Sequence, residues 1–167
     1  GSDRFYGGAG NDTIRAFGNT SVEGGSDADL IFGTFNDSLF GGAGNDTLTA
    51  LGAGVTLTGG DGGDLYVIDA QGGSVTITDF NPAQGDKIRI NVYDGYTLDI
   101  DQTGQNATIT AGNVTVNVTL PVGVTLTGAN IELAENDEIS DLTANATLLS
   151  GKWGDDTIDR KSTRLNS

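Results

Sequence analysis

The sequence has 167 residues and is strongly acidic, with 23 Asp and Glu against eight Lys and Arg and a formal net charge of −15. It contains neither Cys nor His, which excludes disulfides, thiolate metal sites, histidine–zinc hydrolases and histidine-based triads. The charge excludes nucleic acid as a partner, because phosphate contacts need cationic side chains. Hard cations are the natural counter-charge, since they bind oxygen ligands. No apolar run reaches the ~18 residues of a membrane span, and a start at Gly without any Met predicts a fragment of a longer protein.

The first part of the chain is built from Gly-rich repeats. Four stretches share the template Gly-Gly-x-x-x-Asp-x-apolar; they begin at Gly7, Gly24, Gly41 and Gly59, with spacings of 17, 17 and 18 residues. Weaker copies lie between them, so that an apolar residue recurs every eight or nine positions, at Phe5, Ile14, Val22, Ile31, Leu39, Leu48, Leu57 and Tyr66. The Gly-rich half of each unit suits a tight turn, and the alternating half predicts a short strand of roughly three residues. Two turns and two strands close one coil of a parallel, two-sheeted β-roll.

The template resembles the RTX (repeats-in-toxin) calcium-binding nonapeptide, Gly-Gly-x-Gly-x-Asp-x-apolar-x. The resemblance covers residues 1–80 and implies an all-β fold, with a parallel β-roll over that range. In a roll, each turn faces the turn one coil later on the same edge. One edge therefore stacks Asp12, Asp29, Asp46 and Asp64, and the other stacks Asp3, Thr20, Asp37 and Val55.

The first edge is predicted to bind calcium. If each ion needs a carboxylate from two successive turns, this edge has three complete sites and the second edge has none. Partial or water-completed sites near Asp3 and Asp37 stay open on the second edge. The resemblance implies that main-chain carbonyls of the first and third turn positions complete the shell, namely those of Gly7, Ala9, Gly24, Ser26, Gly41, Ala43, Gly59 and Asp61. Such oxygen-rich shells suit Ca²⁺ better than Mg²⁺, which demands a tight octahedron. A lone Asp in a Gly-rich turn often only caps its own backbone, but four carboxylates in register favour calcium.

Residues 75–133 alternate apolar and polar residues in segments separated by Gly or Asn, which predicts a mostly antiparallel meander. Residues 77–88 resemble the segment after the last coil of many RTX proteins, so 81–133 is predicted to be a β-rich cap over the open end of the roll. For Asp79 and Asp86 two interpretations stay open, a further ion or simple solvation. Rows of Thr also fit an ice-binding surface, and Tyr93, Tyr96 and Trp153 a sugar-binding one; solvent-facing Thr and aromatic packing are the simpler explanations.

The end of the chain divides into three short segments. Residues 134–150 are predicted to be an acidic connector, and 151–158 fit the nonapeptide again, with Asp156 in the ligand position of a second, truncated array. An isolated turn cannot complete a site between turns. Residues 159–167 contain three of the eight bases and interrupt the repeat. They resemble a translated sequencing adapter; an ordinary basic tail is the alternative.

We therefore expect a calcium-binding, non-enzymatic folding module of a larger secreted bacterial protein, located outside the cell or at its surface. Low cytosolic calcium would keep the chain unfolded for export, and external calcium would fold it. The resemblance implies neighbouring domains and the type I secretion machinery as partners. The alternatives are an accessory module of an extracellular protease, lipase or alginate epimerase, and a repeat spacer of a surface adhesin. A chain without His lacks the zinc helix of a protease itself.

Overall fold

Short strands and turns alternate along the chain in a computed structural model that describes residues 3–92 and 98–135. No α-helix occurs among these residues, and a single 3-10 turn at Gly128–Asn130 precedes the last strand. The predicted all-β class is confirmed. The strands are β1 (Arg4–Ala9), β2 (Thr13–Arg15), β3 (Ser21–Ser26), β4 (Leu30–Gly33), β5 (Ser38–Ala43), β6 (Thr47–Ala50), β7 (Thr56–Asp61), β8 (Leu65–Ile68), β9 (Gly73–Ile77), β10 (Lys87–Val92), β11 (Leu98–Thr103), β12 (Asn106–Ala111), β13 (Val114–Thr119) and β14 (Ile131–Glu135).

The strands form two sheets, and each coil contributes one strand to each sheet. The first sheet has the order β1-β3-β5-β7-β9-β13-β12-β11, and the second has the order β14-β10-β8-β6-β4-β2. All pairs from β1 to β10 are parallel. This is the parallel β-roll that the repeat predicted.

The repeat also sets the core. In the first sheet, Val22 pairs with Leu39 and Leu39 with Leu57. The matching column of the second sheet contains Ile31, Leu48 and Tyr66, and all six side chains are fully buried. Burying these side chains removes apolar surface from water, which stabilises the fold by about 25 cal/mol for each Å² buried. Phe5 occupies the same register in the end strand β1 and is 48% exposed, since no described strand stacks on β1.

The odd-numbered strands of the first four coils are longer than predicted. Each has six residues, because the first three residues of the Gly-rich template stay in the sheet. Gly8 pairs with Gly25, and Gly25 with Gly42. These glycines have φ between +109° and +126°, a conformation that bends the strand into the turn and that L side chains rarely adopt.

Parallel pairing extends further along the chain than we predicted. β9 and β10 add a fifth coil, and β13 and β14 pair with them in parallel as a sixth. Among the strands that the structure describes, antiparallel pairing is confined to β11, β12 and β13, which are joined by the two-residue turns 104–105 and 112–113. Two-residue turns allow only antiparallel neighbours, whereas parallel neighbours in the roll are joined through an intervening strand of the other sheet. The division at residue 80 and the role of 81–133 as a cap stay predictions.

Several sequence-based predictions fall on other parts of the chain. The connector predicted for 134–150 begins at the end of β14, and the rest of it lies outside the described residues. So do the second array at 151–158, the adapter-like segment 159–167, and the aromatic residues Tyr93, Tyr96 and Trp153. Among the residues that are described, no helix has the length and apolarity needed to cross a membrane.

Candidate metal centre

The aspartates of the first edge form a ladder of hydrogen bonds. The main-chain N–H of Asp12 donates to Oδ1 of Asp29 at 2.8 Å, and that of Asp29 to Oδ1 of Asp46 at 2.8 Å. The N–H of Asp46 donates to Oδ1 of Asp64 at 2.9 Å. The structure thus brings the four predicted aspartates into one column, each linked to the next by a main-chain donor.

A fifth aspartate, Asp86, extends this column. The N–H of Asp64 donates to Oδ1 of Asp86 at 2.9 Å, and Asp86 is 2% exposed. We did not predict this position as part of the column. A signal was present, because residues 85–88 repeat the Gly-Asp-x-apolar pattern of residues 63–66. The spacing of 22 residues instead of 17 or 18, and the absence of a Gly-Gly pair before it, concealed the relation.

The second carboxylate oxygen of the column is left without a partner. Oδ2 of Asp12, Asp29, Asp46 and Asp64 is buried and receives no hydrogen bond. An unsatisfied buried polar group costs about 1–3 kcal/mol, and more if it is charged. Four such atoms at the same position of successive coils therefore indicate a bound partner that supplies positive charge.

A main-chain carbonyl lies beside each of the first three orphaned oxygens. A Cβ added to Gly7 would lie 2.5 Å from both Asp12 Oδ2 and the carbonyl oxygen of Gly24. A Cβ at Gly24 would collide with Asp29 Oδ2 and lie 2.7 Å from the carbonyl oxygen of Gly41. The same arrangement holds at Gly41, with Asp46 Oδ2 and the carbonyl oxygen of Gly59. Glycine at the first turn position therefore keeps open a space bordered by a carboxylate and a carbonyl oxygen.

The electrostatics of the column favour a cation. Burial raises the pKa of Asp46, and the neighbouring Asp29 carboxylate adds to that rise. Burial likewise raises the pKa of Asp64 to about 6, with smaller contributions from Asp86, Asp46 and Asp79. A raised pKa means that the ionised form is disfavoured in this environment. A metal ion would remove that penalty by supplying the missing positive charge.

The donor set fits calcium. Every candidate ligand is a hard oxygen, and Ca²⁺ takes six to eight of these in a flexible geometry. Within the described residues, no cluster of three or more acidic side chains is arranged to hold one ion. Main-chain carbonyls must therefore complete each shell. Those of the third turn position, at Ala9, Ser26, Ala43 and Asp61, belong to the paired strands, and their role as ligands stays a prediction.

The second edge is built differently. Asp37 is fully buried, and its Oδ1 accepts the N–H of Thr20 at 2.8 Å. Its Oδ2 accepts main-chain N–H groups from Thr34 at 2.7 Å and Gly18 at 3.2 Å, and the Thr34 hydroxyl lies 3.3 Å away. Protein donors thus satisfy both oxygens of Asp37. The turn-capping role that we weighed against calcium for single aspartates describes this position.

We expect Asp37→Ala to destabilise the roll without changing its calcium stoichiometry. The substitution leaves at least three main-chain N–H donors without their acceptor, which corresponds to about 2–3 kcal/mol and a lower melting temperature at saturating calcium. Calorimetric unfolding and a calcium titration of the same sample measure both quantities. Loss of a calcium equivalent in Asp37→Ala would contradict a purely structural role.

Side chains of the turns also tie neighbouring coils together, a role that we did not predict. The amide oxygen of Asn11 accepts the N–H of Ala28 at 3.2 Å, and that of Asn45 accepts the N–H of Gly63 at 2.8 Å. Asp27 has a φ of +77° and accepts the N–H of Gly10 at 3.1 Å. Sequence spacing alone does not show these contacts, because the partner is a main-chain group.

The coils stack so that one edge carries a row of carboxylate oxygens without hydrogen-bond donors. This arrangement defines the class of the protein, a repeat protein with binding sites for hard cations. Comparison with family models gives the particular family: the RTX calcium-binding nonapeptide repeat matches over residues 1–31, 16–48 and 33–66. Residues 1–66 are therefore RTX repeats, which bind calcium, and the resemblance seen in the sequence is confirmed. Repeats of this family are typical of extracellular proteins and typically non-catalytic.

The chain is similar to the solution structure of the AlgE6R3 subunit of the Azotobacter vinelandii mannuronan C5-epimerase, with a TM-score of 0.46 and 20% identity over 92% of this chain and 94% of that one. No match was found among curated proteins.

Proposed function

We propose that the chain is a calcium-dependent folding module of a larger secreted protein, without catalytic activity of its own. The observation that supports this most strongly is the row of four buried, partnerless Oδ2 atoms in successive coils. Three ions would lie between Asp12 and Asp29, between Asp29 and Asp46, and between Asp46 and Asp64. The first-position carbonyls of Gly24, Gly41 and Gly59 would add oxygens to these sites.

Calcium would act as part of the fold. Without calcium, buried carboxylates that lack a counter-charge face one another along the edge. The Gly-rich chain also gains conformational entropy by unfolding. Extracellular calcium modules have dissociation constants of about 10⁻⁴–10⁻³ M. At ten times that constant, each site stabilises the folded state by ~1.4 kcal/mol and three sites by ~4 kcal/mol. This is a large share of the stability of a small domain.

This dependence suits export. A chain that stays unfolded at cytosolic calcium concentrations and folds at millimolar concentrations outside would match the needs of a secretion channel. By family resemblance, we propose the bacterial type I machinery as the route and the surrounding domains of the full-length protein as partners. The two alternatives, an enzyme's accessory module and an adhesin spacer, use the same roll and differ in those domains.

Circular dichroism of the full chain tests the proposal. We expect a disordered spectrum for the repeat region in excess chelator and a β-rich spectrum in millimolar calcium, with a cooperative transition between them. Magnesium at the same concentration is the matched control and should leave the chelator spectrum largely unchanged, since Mg²⁺ dehydrates reluctantly. Identical spectra with chelator and with calcium would refute calcium-dependent folding.

A further inference from the structure

The outer side of the second sheet carries large apolar side chains. Ile31 of β4 and Tyr66 of β8 point into the core, so the residues next to them in each strand point outward. These outward positions hold Leu30 and Phe32 on β4 and Leu65 and Val67 on β8. Thr49 of β6 lies in register between Phe32 and Val67 and is only 7% exposed. The five side chains form one patch, which we call the apolar face.

The outer side of the first sheet has the opposite composition. On β9, β12 and β13 each outward side chain is Ser, Thr or Asn, as at Thr76, Thr108 and Thr115. Such side chains suit contact with water. The same chain therefore places polar residues outside one sheet and a contiguous apolar patch outside the other, which marks the second as a contact surface.

Cations border the apolar face. The described residues include four Lys and Arg, and three of these lie on the outer side of the second sheet, namely Arg15, Lys87 and Arg89. The register places Arg15 and Arg89 on either side of Phe32 and Val67 in one row. The Arg15 guanidinium stacks on the Phe32 ring at 4.1 Å from its centroid. Positive charge gathered here, in a chain with a net charge of −15, favours an acidic occupant.

The chain itself leaves the edge of this sheet with a segment of matching chemistry. β14 ends at Glu135. Residues 136–149 contain the acids Asp137, Glu138 and Asp141, the apolar residues Ile139, Leu142, Leu148 and Leu149, and neither Lys nor Arg. In the sheet order, β4 lies four strand spacings from β14, which is about 19 Å. An extended stretch from 136 to 142 spans about 23 Å, so Leu142 has the reach to contact β4.

We propose that residues 136–149 fold back across the outer side of the second sheet and cover the apolar face. Their apolar side chains would lie against Phe32, Leu65 and Val67, and their acids beside Arg15 and Lys87. The inference goes beyond the proposed calcium function, because none of these residues is a candidate calcium ligand. It leaves the hydroxyl-rich outer side of the first sheet as the one open to partners.

Limited proteolysis of the full chain in calcium tests this docking. A Glu-specific protease cleaves after Glu138, inside the segment. Phe32→Ser should make this cleavage about tenfold faster, because cleavage follows the fraction of molecules in which the segment is undocked. Phe40→Ser is the matched control, since it makes the same change at an exposed, outward position of the first sheet. It should leave the rate unchanged, and both variants should keep the β-rich spectrum in calcium.

A spin label locates the segment directly. The sequence contains no Cys, so Thr143→Cys provides a single attachment point. The label should broaden the amide NMR signals of Phe32 and Val67 and spare that of Thr115 on the other sheet. A mixture of spin-labelled protein with isotopically enriched protein that carries no label should show no broadening, because the contact is within one chain.

Two results would overturn the inference. Broadening of the Phe32 and Val67 signals in the mixture would make a second copy of the chain the occupant. Equal cleavage rates in the parent, Phe32→Ser and Phe40→Ser, with no broadening at Phe32 or Val67, would leave the apolar face to another domain. Neither result would affect calcium-dependent folding, which the circular dichroism experiment tests separately.

Discussion

Asp46→Asn is expected to weaken two calcium sites at once and to lower the free energy of unfolding by about 3 kcal/mol at calcium ten times above the dissociation constant. Asp46 lies in the middle of the column, where its Oδ2 is buried without a partner and its Oδ1 accepts the N–H of Asp29. The amide retains one oxygen for that hydrogen bond. It loses the negative charge that the ion sites on both sides of Asp46 need, so each of these two sites loses a carboxylate ligand.

A graded series makes this expectation specific to the column. Asp12→Asn, in the first described coil, affects only the ion site between Asp12 and Asp29. It should lower the free energy of unfolding by about half as much as Asp46→Asn. Asp99→Asn, on an exposed position of β11, should cost nothing measurable. Denaturant unfolding of the three variants at fixed calcium, together with the calcium equivalents of each, checks the series. Equal losses for Asp46→Asn and Asp99→Asn would mean that the column does not bind the ions that stabilise the roll.

The repeat made most of this architecture predictable. A period of 17 or 18 residues leaves few arrangements in which every apolar residue is buried, and the register of Val22, Leu39 and Leu57 follows it directly. The column of aspartates followed from the same period, because each Asp lies two residues before an apolar residue. Local pattern and global fold agree here, which is the condition for a reliable prediction.

Predictions failed where the period changed. Asp86 follows Asp64 by 22 residues, so it looked like a loop carboxylate, although Ile88 still occupies the register of Tyr66. Parallel stacking of β10 on β8 was missed for the same reason, whereas β9 lies within the predicted roll. Alternation of apolar and polar residues shows that a segment is a strand, but it does not tell which neighbour the strand pairs with. Here the length of the connections decided the pairing, because the two-residue turns on either side of β12 allow only antiparallel neighbours.

The two edges show why an aspartate count alone does not locate ions. Asp37 and Asp46 are both buried and both accept a main-chain N–H from the coil before. Their remaining oxygens differ. Oδ2 of Asp37 has donors from Thr34 and Gly18, whereas Oδ2 of Asp46 has none. The partner of this second oxygen separates a turn-capping carboxylate from one available to a cation, and it is visible only in three dimensions.

Gly41→Ala is expected to remove the ion between Asp46 and Asp64 without changing any charge. The φ of Gly41 is outside the left-handed region, so alanine is tolerated by the local backbone. Its Cβ would instead collide with Asp46 Oδ2 and lie 2.6 Å from the carbonyl oxygen of Gly59. Displacing these oxygens would cost about 1–3 kcal/mol in overpacking, in addition to the ~1.4 kcal/mol of the lost ion.

Gly8→Ala is the matched control for this steric effect. Gly8 has open space around its added Cβ but a φ of +109°, so alanine there costs strain of about 1–3 kcal/mol and leaves the oxygens of the column in place. Both variants should therefore be less stable than the parent, but only Gly41→Ala should bind one calcium ion fewer in an isothermal titration. Full calcium stoichiometry in Gly41→Ala would show that the ion lies away from the space between Asp46 Oδ2 and the Gly59 carbonyl, and would move the site to another part of the turn.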